Sequence, residues 1–95
     1  MAGEEMSEFV AECLWPDVRE TDLRALDERV LAAAERLAGH GGSVSYLGSV
    51  LMREDEVVWC QFRGDREQIH QVAEAAQIPY DRILETARSP WPHGP

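Results

Sequence analysis

Apolar and polar positions along this chain switch between two periods. In EFVAECLW, residues 8–15, Phe9, Ala11 and Cys13 share one parity, while Val10, Glu12 and Leu14 share the other. That alternation predicts a strand with two distinct faces, ended by Pro16. From residue 21 the period lengthens. Leu23, Leu26, Val30, Ala33 and Leu37 recur every three or four positions, so they form one stripe of a helix. Thr21 is the expected N-cap, Asp22 suits the positive end of the helix dipole, and the glycines at 39, 41 and 42 mark its end.

Alternation returns in SVSYLGSVLM (43–52) and EVVWCQF (56–62), separated by the polar RED turn, and predicts a hairpin. Gly64 breaks the run. Asp65 then caps a second helix, with Gln68 at capping-box spacing and Ile69, Val72, Ala73 and Ala76 as its apolar stripe. Pro79 forbids continuation, and RILETA (82–87) supplies a last strand. Residues 1–7 read as a flexible leader, 8–88 as one domain, and 89–95 as an extended Pro-rich tail with Trp91 free to pack.

The order is βαββαβ. Right-handed crossovers place both helices on one face of a four-stranded antiparallel sheet, the ferredoxin-like α+β plait, with the first and third strands central. The other face carries Val10, Leu14 and Trp59 and is too apolar to leave in water. Closure against a second copy would give a homodimeric α/β barrel with a cavity between the sheets.

Ninety-five residues make one small domain, for which a partner subunit would add buried surface. The hydrophobic fraction of 44% argues for a folded chain. No apolar run approaches the ~18 residues of a membrane span, and the acidic N-terminus lacks the features of a signal peptide, so a cytoplasmic location is expected. Net charge is −9, which disfavours nucleic acid and anionic membranes and leaves cations, neutral small molecules and proteins as partners. Every basic side chain is Arg, a usage that suggests a GC-rich genome such as an actinomycete's.

Three features of EVVWCQFRGDREQIHQVAEAAQIPYDRI carry a resemblance: Trp59-Cys60 in the third strand, the acid cap Asp65, and Ile78-Pro79-Tyr80-Asp81-Arg82 leading into the last strand. Over residues 8–88 the chain resembles the small ferredoxin-like domain family described as nickel-binding, formerly a domain of unknown function. The resemblance implies a dimeric plait and, more weakly, a metal role. Many members place a His two positions beyond His70, where this chain has Val72.

Three sets of residues are candidates for chemistry. Glu67, His70 and Glu74 share one helix face and offer donors suited to nickel or another divalent transition metal, although ordinary solvated acids look the same in sequence. Cys13 and Cys60 share the helix-side parity, either as a redox or soft-metal pair or as two small core residues. Glu12, Trp59 and Gln61 lie on the opposite parity and, with Tyr46 or a serine of the second strand, would line the dimer cavity. Glu12 is the candidate acid–base group there. His40 and His93 have no partner visible in sequence, and no nucleotide-binding, zinc-protease or serine-hydrolase motif occurs.

The function expected is a small dimeric binding protein, with weak nickel binding at its surface. The alternatives are a cofactor-free monooxygenase or cyclase working inside the cavity and an interaction module regulating another protein.

Overall fold

The computed structural model describes residues 7–87. The elements run β1 (Glu8–Leu14), α1 (Glu20–Ala38), β2 (Val44–Met52), β3 (Val57–Gly64), α2 (Arg66–Ala75) and β4 (Arg82–Thr86). The sheet order is β2-β3-β1-β4 with every pairing antiparallel, so the fold is the ferredoxin-like α+β plait. Most of the leader and all of the tail, including Trp91 and His93, lie outside the described residues. No described helix is long and apolar enough to cross a membrane.

The core forms where the two helical stripes meet one face of the sheet. Phe9, Ala11 and Cys13 of β1 and Val58, Cys60 and Phe62 of β3 are buried there against Leu26, Val30 and Ala33 of α1 and Ile69, Val72 and Ala73 of α2. Arg29 ties the helices together by donating from Nε to the Ala76 carbonyl at 2.9 Å.

Local signals set the helix ends, with two corrections. The N-cap of α1 is Arg19, not Thr21. Asp22, at the third helical position, accepts the Arg19 backbone N–H at 2.8 Å, which fixes the start two residues early. Asp65 does cap α2, accepting from the Gln68 backbone N–H at 3.1 Å. The reciprocal half of that capping box is missing, because the Gln68 carboxamide instead accepts the Ser43 backbone N–H at 2.9 Å and pins the loop before β2.

Gly64 closes β3 instead of breaking it. Its φ is +148°, and a Cβ there would sit 2.8 Å from the Ser43 carbonyl oxygen. The position therefore needs both the left-handed backbone freedom and the missing side chain of glycine.

One irregularity changes the faces of β2. Tyr46 pairs with Phe62, but Gly48 pairs with Gln61, so Leu47 is an extra, bulged residue. Before the bulge Val44 and Tyr46 point toward the helices; after it Ser49 and Leu51 do, opposite Cys60 and Val58. A strictly alternating strand could not keep all four on that side.

Candidate functional site

The bulge decides what the uncovered face of the sheet contains. Tyr46 was expected to line that face. It stands on the other side, its ring 5.1 Å from Phe62, and its hydroxyl donates to Asp27 Oδ1 of α1 at 2.5 Å. Ser49, past the bulge, donates to the same oxygen at 2.8 Å. Burial, with the Asp27 carboxylate beside it, pushes the Tyr46 phenol well above the ordinary tyrosine range. Asp27 thus clasps both sides of the bulge and holds β2 in its irregular register.

Leu47, Val50 and Met52 of β2, Trp59 and Gln61 of β3, Val10, Glu12 and Leu14 of β1, and Leu84 of β4 occupy the uncovered face. Among the described residues seven large apolar side chains stay exposed, and Leu31 of α1 is the single one of them outside this face. The charged groups of the face are paired across strands. Glu8 accepts from Arg63 at 2.8 Å and Glu12 from Arg82 Nε at 2.7 Å. Two acids and two arginines make the face neutral, although the whole chain carries −9.

Two hollows flank Trp59. The larger, about 210 Å³, is lined by Glu8, Val10, Leu47, Trp59, Gln61 and Thr86 together with parts of Phe9, Phe62 and Ala87. The smaller, about 100 Å³, lies among Val10, Glu12, Trp59, Leu84 and Thr86. The expected trio of Glu12, Trp59 and Gln61 is therefore brought to one surface, Glu12 directly opposite Trp59 in the strand register. The Glu12 carboxylate accepts from Arg82 Nε at 2.7 Å.

The proposed metal ligands are arranged differently. The Tyr80 hydroxyl donates to Glu74 at 2.6 Å and lies 3.5 Å from His70 Nδ1, so a phenol sits where an ion would join the two. Glu67 is not part of that chain of contacts. Among the described residues no group of three or more His, Cys, Asp or Glu side chains is placed to hold a metal ion.

Cys13 and Cys60 meet under the helices as expected, diagonal neighbours in the β1–β3 register and both fully buried. A hydrogen bond to Cys60 and burial push the Cys13 thiol far up, so it stays protonated. Both thiols are sealed beneath the helices, without the partly exposed setting that a reactive cysteine needs. His40 lies just past α1, its Nδ1 2.8 Å from the Arg36 carbonyl oxygen.

Sequence reasoning missed Gly48 and Leu47. Gly48 has φ +108°, and a Cβ there would meet nothing within 4 Å. The space a side chain would fill above the sheet is open, directly opposite Gln61. A glycine inside an otherwise β-rich run was the available signal for a bulge.

No protein-family model and no curated protein matches the chain. Among solved structures it is similar to the crystal structure of SCO4226 from Streptomyces coelicolor A3(2), with a TM-score of 0.71 and 17% sequence identity, over 87% of this chain and 99% of that one. At that identity the likeness establishes the shared fold.

Proposed function

We propose that the chain works as a homodimer, two copies closing their uncovered sheet faces into a dimeric α/β barrel, and that it binds a neutral small molecule between the sheets. The observation that carries this reading is the segregation of exposed apolar side chains: Leu14, Leu47, Val50, Met52, Trp59 and Leu84 all stand on that one face. Such a patch on a soluble domain calls for a cover. Charge favours a second copy as the cover. Two copies of a chain carrying −9 repel, and the internally paired face is where they approach at least electrostatic cost.

Size sets the strength. Four strands about 4.8 Å apart, averaging about seven residues each, offer a footprint of roughly 450 Å² per copy. A closed pair then lies near the ~1,000 Å² lower end of specific interfaces, so the dimer should dissociate on dilution. Facing sheets pack about 10 Å apart, and the hollows beside Trp59 leave space within that layer.

Sedimentation equilibrium across a dilution series, run alongside fluorescence of the neutral probe N-phenyl-1-naphthylamine, tests the reading. A dimer whose fraction tracks probe emission supports it. A monomer at all concentrations refutes it.

The cofactor-free enzyme reading has less support, because Glu12, its candidate acid–base group, is engaged by Arg82. Weak nickel binding in the manner of the resembling family rests on the approach of His70 and Glu74 to one Tyr80 hydroxyl. Calorimetry with Ni²⁺ checks it: a saturable isotherm weakened by His70→Ala supports the site, and a flat titration removes it. Two buried, unpaired cysteines suit a reducing cytoplasm, and the arginine usage suits an actinomycete.

A further inference from the structure

The larger hollow owes its shape to the bulge. Leu47 is pushed out as one wall, and Gly48 leaves bare backbone where β2 would otherwise set a side chain opposite Gln61. Trp59 and Val10 form the apolar sides. The charges at the rim are spent: Glu8 is paired with Arg63, and the Thr86 hydroxyl donates to the Glu8 carbonyl at 3.2 Å. Gln61 differs from the other polar side chains of the lining, the Trp59 indole N–H excepted. Half-buried, it makes no side-chain hydrogen bond among the described residues. Its carboxamide offers a donor and an acceptor side by side. Once a second sheet covers the face, those two groups lose water and require a partner.

We propose, resting on the dimer reading above, that this hollow binds a small, flat, neutral molecule with an adjacent N–H and C=O on one edge, of the lactam or cyclic-amide class. Its ring lies against the Trp59 indole and its edge pairs with the Gln61 carboxamide. Neutrality follows from the rim, where no unpaired side-chain charge is left to meet an ionic ligand. Flatness follows from the single ~10 Å layer between facing sheets. Small size follows from the 210 Å³ volume, room for a fused bicycle and little more.

The probe is 2-quinolinone, with N-methyl-2-quinolinone as its counterpart lacking the donor, both titrated calorimetrically into the full chain while sedimentation velocity reports its oligomeric state. The wild type should bind 2-quinolinone about three- to tenfold more tightly, the worth of one hydrogen bond. In Gln61→Leu the two affinities should converge to within twofold while the dimer persists. A preference that survives Gln61→Leu would show that the methyl group, not the amide edge, is being read. A wild-type dimer that binds neither compound, or binds both equally, would overturn this proposal and leave the dimer reading standing. Loss of the dimer in Gln61→Leu would assign the carboxamide to the subunit contact and overturn it too. A monomeric wild type would remove both readings together.

Discussion

Two leucines of similar exposure separate the dimer reading from generic stickiness. Leu14, at the end of β1 on the uncovered face, is 62% exposed; Leu31, on α1, is 50% exposed. Burying a leucine completely is worth about 1.5–3 kcal/mol, so the part of Leu14 still in water offers ~1–2 kcal/mol. Twofold symmetry counts each residue twice, so Leu14→Ser should weaken the dimer by about 2–4 kcal/mol, roughly thirty- to several-hundredfold in Kd. Leu31→Ser removes a comparable exposed area from a surface outside the sheet face and should change Kd by less than about twofold. Both protomers should keep their fold, since each side chain is at least half solvated before substitution. Sedimentation equilibrium gives the two constants, and urea unfolding at low protein concentration checks the protomer. Equal weakening by both variants, or an unaffected Leu14→Ser dimer, would refute the assignment of the interface to the sheet.

Three further outcomes follow from the protomer alone. Gly64→Ala should lower stability by about 1–3 kcal/mol in urea titration, because the backbone is at φ +148° and the new Cβ would press on the Ser43 carbonyl, which is main chain and cannot swing aside. Tyr46 keeps its proton in the fold to higher pH than in the unfolded chain, so its contribution is full below pH ~10 and is lost as pH rises further, at up to about 1.4 kcal/mol per pH unit. Urea midpoints from pH 8 to 11 should fall more steeply in the wild type than in Tyr46→Phe. Deleting Leu47 removes the surplus residue and leaves Tyr46 and Ser49 facing the helices, whereas deleting Val50 sends Leu51 outward. The first deletion should therefore unfold at the higher urea concentration.

The parts of this chain legible in sequence are those fixed by short-range periodicity. The stripes of α1 and α2, the parities of β1 and β3, and the meeting of Cys13 with Cys60 all follow from residues whose neighbours along the chain determine where they point. Asp65 as a cap is legible for the same reason. What periodicity could not reach is where one segment borrows a group from another. Asp22 and Gln68 each looked like ordinary first-turn residues. One moved a helix start, and the other turned away from its own cap to hold Ser43, 25 positions earlier. β2 is the extreme case. Its parity before and after Leu47 conflicts with any regular strand, and it is settled by a single Asp27 oxygen on a helix that the β2 pattern does not mention. Tyr46, aromatic and hydroxyl-bearing, was a reasonable pocket residue in any reading that lacked Asp27. The same long-range bond that takes Tyr46 off the uncovered face accompanies the open space above Gly48, so Gln61 has no β2 side chain opposite it. The site candidate is thus a consequence of the helix side of the sheet. A change at Asp27, which touches nothing on the uncovered face, should alter the hollow there by releasing the bulge.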